Sequence, residues 1–239
     1  MAFEEITKPS VSNMKETPNL IDYQSTKENF DWFKDGFSGL DWLPDGGLNN
    51  AYEAVDRHVI NGKGQQKALI WIGKNGDEET YTYSQFKEES DKFGQVMKNL
   101  GMQRADRVFI FMDRIPELYF AAMGILKAGG VIAPLFSAFG PDPVRDRMED
   151  AGASFLVTTP ELKSKIDTML PDIKSLQKVI VIDKPGTANI NTDDKTLLYK
   201  DLMNKVDASN FVLEPTTQYD FSIMHYTSGS TGKPKGVLH

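Results

Sequence analysis

From about residue 106 to residue 226 the chain alternates between short, unbroken apolar runs and stretches with a helical period. The runs are "DRVFIFM", "GVIAPLF", "ASFLVTT", "KVIVID" and "YDFSIMHY". Between them lie "PELYFAAMGILKA", "PDPVRDRMEDAG", "PELKSKIDTML" and, after a polar loop at 183–195, a helix near "TLLYKDLMNKV". A strand that is apolar at every position, rather than at every second one, must be covered on both faces. Strands alternating with helices need crossover connections, and so a parallel sheet. The expected fold class is α/β: a parallel sheet with helices on both faces, preceded by an irregular N-terminal arm.

Local signals agree with that frame. "KALIWIG" and "ETYTYS" flank "KNGDE", which predicts a hairpin turning at Asn75-Gly76. Thr82 and Gln85 are spaced for a capping box opening a helix whose apolar face carries Phe86, Phe93, Val96, Met97 and Leu100, with Gly101 as its stop. Pro116 opens the next helix, and Gly129 and Gly130 close it. Ahead of these, residues 1 to about 50 are polar with scattered aromatics, namely Tyr23, Phe30, Trp32, Phe33, Phe37 and Trp42. So many aromatics argue against a disordered tail. They predict an extended arm whose rings serve as anchors, followed by a short helix at "LNNAYEAVDRHVI". The expected division is an arm and short helix over 1–60 and a larger domain over 61–239.

Composition narrows the function classes. Lys plus Arg total 27 against 34 Asp plus Glu, a formal charge of -7, which argues against a nucleic-acid binder. With no cysteine, disulfide scaffolds, thiolate metal sites and cysteine catalysis are excluded. His58, His225 and His239 are too few for a histidine-rich metal centre. "MAFEEITKPS" is no signal peptide, and the longest apolar window is broken by Lys127 and a glycine pair. A cytoplasmic protein without membrane partners is expected.

The stretch that carries chemistry is "YTSGSTGKPKG", residues 226–236. Gly229, Gly232 and Gly236 let the backbone turn tightly and come close to a ligand. Thr227, Ser228, Ser230 and Thr231 supply hydroxyl donors, and Lys233 and Lys235 add positive charge. A strand end precedes the loop, where open α/β sheets place their ligands. Backbone N–H groups, hydroxyls and ammonium groups together form a cradle for a polyphosphate. The P-loop of NTPases is the rival. It requires Ser or Thr directly after the lysine and a helix at once. Here Pro234 follows Lys233 and biases it toward an extended conformation. The chain is therefore expected to return as a second strand at "GVLH", giving a hairpin.

This string resembles the signature loop of the adenylate-forming superfamily, which includes acyl-CoA synthetases, adenylation domains and luciferases. "LNNAYEAVDRH", the run from "DRVFIFM" to "FLVTT", and "FDWF" in the arm resemble acetyl-CoA synthetases over residues 20 to 239. The resemblance implies the N-terminal part of that enzyme fold and a two-step reaction. A carboxylate, acetate foremost, attacks the α-phosphorus of ATP, and CoA then displaces AMP. It implies ATP, Mg2+ and CoA as cofactors or substrates. It implies that Thr227, Ser228, Gly229, Ser230, Thr231, Gly232 and Lys233, with Lys235 a weaker member, hold the β- and γ-phosphates. It points to Lys163 and Lys165 for the CoA 3′-phosphate, where the family more often has arginines; a solvated helix face is the plainer account of these two lysines.

The resemblance implies that the acyl pocket, the magnesium ligand and the C-terminal domain with its catalytic lysine are not among these residues, so 239 residues alone are expected to be marginally stable and inactive. Another short- or medium-chain acyl-CoA ligase and a non-catalytic remnant of the fold remain as alternatives. His225 is expected in the core, His58 in a structural contact beside Asp56 and Arg57, and Arg145 and Arg147 in local pairs near Glu149 and Asp150.

Overall fold

The computed structural model describes residues 9–183, 190, 192–227 and 232–239. The chain divides into two units, residues 1–40 and 41–239. In the first, α1 (Tyr23–Asn29) is capped by Asp22, whose Oδ1 accepts from Ser25 N at 2.9 Å. The aromatics that follow meet one another edge to face, Phe30 with Trp32 and Phe33 with Phe37. Trp32 and Phe33 are 75% and 72% exposed, so they are not the buried anchors the sequence predicted.

The second unit opens with a helical stretch containing two wide π-type turns, Tyr52–Asp56 and Val59–Lys63. Asn49 starts it, its Oδ1 accepting from Ala51 N at 3.0 Å. A hairpin follows, β1 (Lys67–Ile72) and β2 (Glu78–Thr82). Its turn uses the expected Gly76, at φ +87. α2 (Tyr83–Asn99) begins with the expected capping box: Gln85 N donates to Thr82 Oγ1 at 3.3 Å and Thr82 N to Gln85 Oε1 at 2.9 Å.

A five-stranded parallel sheet forms the centre. Its strands are β3 (Arg107–Phe111), β4 (Val131–Leu135), β5 (Phe155–Thr158), β6 (Lys178–Val181) and β7 (Thr196–Leu198), in the order β4-β3-β5-β6-β7. Phe155, Leu156 and Val157 are wholly buried at successive positions. Successive side chains point to opposite faces, so β5 is covered on both. α3 (Pro116–Lys127) packs on α2, while α4 (Pro141–Ala151) packs on α5 (Pro160–Ile166). Residues from both pairs join the sheet in one core, among them Phe93, Ile125, Met148 and Ile166.

One segment departs from the expected pattern. The expected helix near "TLLYKDLMNKV" is α6 (Tyr199–Lys205), but the first residues of that stretch form the edge strand β7, which the sequence did not predict. Asp193 is the cause. Its Oδ1 accepts from Lys195 N and Thr196 N at 2.9 and 2.5 Å, turning the chain so that Thr196 pairs with Val179. An Asx-type turn of this kind overrides a short helical period.

α2 and α3 come together at glycines. A Cβ on Gly124 would lie 2.8 Å from Gly94 N and from Ser90 O. Beside this contact Lys127, with no exposed surface, sets its Nζ 2.5 Å from Asp56 Oδ1 and 2.6 Å from Asp91 Oδ1. Burial pushes the Asp56 carboxyl above its ordinary value, a rise that Lys127 opposes. Removing one member of such a group strands buried charge, at about 3–5 kcal/mol. Lys127→Ala is therefore expected to destabilise the chain by about that amount, read as the shift of a urea unfolding midpoint.

Candidate functional site

The candidate loop is held between two short strands. β8 (Met224–Thr227) and β9 (Lys235–Leu238) pair antiparallel, with Thr227 opposite Lys235, Tyr226 opposite Gly236 and His225 opposite Val237. This is the hairpin that Pro234 foretold. It joins the large sheet at an isolated parallel bridge, Ile132 to Ile223, where Ile132 N donates to Ser222 O at 3.0 Å. The hairpin thus starts beside β4, an outer strand of the parallel sheet.

Thr227, Gly232, Lys233 and Lys235 are exposed around the hairpin's open end. Ser228, Gly229, Ser230 and Thr231 lie outside the described residues. Two glycines here have different work. Gly232 has φ +89 with nothing near a would-be Cβ, so conformation alone demands it. A Cβ on Gly236 would lie 2.2 Å from Met224 Cε and 3.2 Å from Tyr226 Cζ, so there space demands it. The structure brings Thr227 and Lys235 together as a cross-strand pair, with Lys233 and Lys235 both exposed at the hairpin's open end.

The two lysines expected to meet CoA sit apart from this hairpin, on α5. Lys163 is ion-paired with Asp167 one turn on and keeps only 14% of its side chain exposed, while Lys165 is exposed. Two other expectations need correction. His225 is exposed, its ring centroid 6.2 Å from that of His239, instead of buried in the core, because β8 turns it to the open face of the hairpin. Arg147 does not pair with Glu149 or Asp150. Its guanidinium stacks on Phe139 at 4.5 Å and lies 5.6 Å from the Tyr226 ring, while Nη1 donates to Pro143 O at 2.7 Å. Arg145 does pair locally, with Asp142 at 2.9 Å. His58 makes the expected structural contact, 4.6 Å from the Tyr83 ring. Burial first, then Arg57 and Lys63, hold its imidazole below the usual range.

Sequence reasoning missed Tyr226 as more than a strand end. Its hydroxyl lies 2.8 Å from Asp150 Oδ2 and 3.0 Å from Arg147 O, both on α4. Burial, then the bond to Asp150, holds the phenol well above its ordinary range. Asp150 is 76 residues from Tyr226, and no periodicity connects them. Among the described residues no group of three acidic or imidazole side chains converges as for a metal ion. A cavity of about 150 Å³ lies between Leu48, Asn49, Leu126, Thr216 and His239, and no expected site residue lines it.

A parallel sheet whose neighbouring hairpin opens into a loop of glycine, hydroxyl and lysine residues is an architecture for handling nucleotide phosphates. The sequence profile of AMP-binding enzymes matches residues 56–239, and the chain belongs to that family. It is 40% identical over 225 residues to the acetyl-coenzyme A synthetase of Bacillus subtilis (strain 168), covering 92% of this chain and 37% of that protein. It is 34% identical over 255 residues to the acetyl-coenzyme A synthetase of Gamma-proteobacterium EBAC31A08, covering 99% of this chain and 39% of that one. The matched part is the N-terminal portion of these relatives. The chain thus spans little more than a third of the length of the curated relatives it matches. Among solved structures, a Brucella canis acyl-CoA synthetase superposes with a TM-score of 0.78 at 25% identity, over 90% of this chain and 37% of that one. The anthranilate CoA ligase AuaEII shares the fold, with a TM-score of 0.70 at 20% identity over 81% of this chain and 35% of its own.

Two outcomes follow from the hairpin's packing. Gly236→Ala forces Met224 or the strand aside and is expected to cost about 1–3 kcal/mol in thermal unfolding. The raised Tyr226 phenol stays protonated in the fold while the unfolded chain ionises near pH 10. Stability should therefore fall as pH climbs past about 10, and Tyr226→Phe should lack that share of the loss in alkaline denaturation curves.

Proposed function

We propose that the protein containing this chain activates a carboxylic acid, acetate first among candidates, with ATP, and passes the acyl group to CoA. The hairpin that sets Thr227 opposite Lys235 at the mouth of the glycine-and-hydroxyl loop is the observation that carries this reading. The 40% identity to a protein named acetyl-coenzyme A synthetase supports it. In this reading residues 61–239 are the N-terminal part of an AMP-binding domain, and 1–60 an arm and short helix before it.

The chemistry asked of these residues is electrostatic. The carboxylate oxygen attacks the α-phosphorus, the bond to the β-phosphate bridge breaks, and pyrophosphate leaves with the bonding electrons. Thr227, Ser228, Gly229, Ser230, Thr231, Gly232 and Lys233 would donate to the β- and γ-phosphate oxygens where that charge grows, with Lys235 adding a field from the facing strand. Donors fixed before the reaction stabilise such charge without reorganising. Magnesium would arrive with ATP and supply further neutralisation; no residue here is assigned to it. CoA's 3′-phosphate would meet α5, chiefly at Lys165, since Lys163 is occupied by Asp167.

Acetate-dependent exchange between ATP and radiolabelled pyrophosphate tests the assignment in the intact protein. We expect exchange with acetate ahead of longer acids. Thr231→Ala combined with Lys233→Ala should slow it by about a hundredfold or more, the scale for losing transition-state donors. Residues 1–239 alone should form no acetyl-CoA above background. Unaltered exchange in the double variant would overturn the assignment of the loop.

A further inference from the structure

Met224 anchors the hairpin in the core, with Tyr226 packed beside it, and little else holds it. β9 is exposed at every position, and the chain meets β4 at the isolated bridge of Ile223. Among the described residues, the hydrogen bonds from this hairpin to α4 all end on the hydroxyl of Tyr226. Its ring lies across Gly236, which has no side chain to interfere. Beyond the glycine the ring reaches Arg147, itself fixed by its bond to Pro143 O at 2.7 Å and by its stack on Phe139 at 4.5 Å. The hydroxyl carries one proton and faces two acceptors on α4; the charged one, Asp150, makes the shorter contact at 2.8 Å.

We propose that Tyr226 is a positioning residue: its hydroxyl, tethered to Asp150, with its ring held beside Arg147, fixes the hairpin so that Thr227 and Lys235 are already in place when the phosphates of ATP arrive. The proposal rests on the function assigned above and adds a part to it. Packing does not require the hydroxyl, since phenylalanine fills the same space beside Arg147 and over Gly236. What the hydroxyl adds is a directed link from the residue next to Thr227 to a helix anchored in the core by Val144 and Met148. Without it the hairpin moves more freely, and that freedom has to be given up when ATP binds. Such a loss appears as weaker grip on ATP, because a restrained site avoids an ordering cost that a loose one meets at binding. The acid, held by other parts of the protein, should not feel it.

The test is Tyr226→Phe, with Asp150→Ala, Asp150→Asn and the Tyr226→Phe/Asp150→Ala pair, in the intact protein. A bond to a charged acceptor corresponds to about tenfold in an equilibrium constant. Tyr226→Phe and Asp150→Ala should each raise the KM for ATP in pyrophosphate exchange by about that factor, with the KM for acetate unchanged. The pair should be no worse than either single change, since both remove one link. Asp150→Asn, which keeps an acceptor oxygen, should recover most of the loss. An ATP KM within about twofold of the parent in Tyr226→Phe would overturn the proposal. So would additive effects in the pair, or a lower Tm and kcat with the ATP KM unmoved.

A second measurement needs no activity. Trypsin cutting after Lys235 in residues 1–239 reports opening of the hairpin, because the Lys233–Pro234 bond resists it. Tyr226→Phe should speed that cut by about tenfold, and an unchanged rate would overturn the tether. If the parent protein shows no exchange, the assigned reaction fails, and the proteolysis rates alone then decide whether the tether exists.

Discussion

A lysine with no exposed surface is the pin on which the larger unit turns. Lys127 ends α3, and its ammonium draws Asp56 from the π-type helical stretch and Asp91 from α2 to one point. A buried ammonium is tolerable only when paired and bonded, so the three elements carrying these groups cannot be placed independently. Glycine contact between α2 and α3 makes the approach close enough, with Gly94 and Gly124 backbone to backbone. The backbone at the same spot sets the later chain: Lys127 O accepts from Glu214 N at 2.8 Å, and Leu126 O from Asn49 Nδ2 at 2.9 Å. Thr216 then links to Leu48, so that residues from the start and the end of the unit are laid side by side before β8 begins.

From that point the hairpin enters the core through Met224, with Tyr226 packed against it, and the rest is carried at its edge. The sheet supplies one place beside β4 where Ser222 and Ile223 can pair, and α4 supplies one carboxylate to meet Tyr226. Thr227, Gly232, Lys233 and Lys235, at the open end of the hairpin, are exposed to solvent. Loops carried at the edge of a packed scaffold are where binding residues commonly lie in α/β proteins.

How much of this was legible beforehand depends on distance along the chain. The β1–β2 turn at Gly76, the capping box of Thr82 and Gln85, and the stop at Gly101 are each decided by neighbours within a few residues, and each stands where the spacing put it. Strands β3 to β6 were legible because a strand covered on both faces must be apolar throughout, whereas the fifth apolar run, "YDFSIMHY", meets the parallel sheet only at Ile223 and ends in the antiparallel β8. β7 was not legible, because a single aspartate at 193 redirected three residues that otherwise carry a helical pattern. The arm's aromatics misled for a related reason: a ring marks apolar area but not what it meets, and here Phe30 met Trp32.

The sequence alone determined the alternation of strands and helices apart from β7, the hairpin that Pro234 imposes, and the glycine, hydroxyl and lysine content of the loop, because those follow from local backbone geometry and side-chain chemistry. Tertiary structure alone decided that Lys127 is a buried ion-pair centre and not a surface lysine, that Arg147 stacks instead of pairing, that His225 faces outward, and that Tyr226 ends on Asp150. Each of these depends on which distant residue the fold delivers within about 3–5 Å, the range over which hydrogen bonds and cation–ring contacts act. No local pattern encodes a partner dozens of residues away.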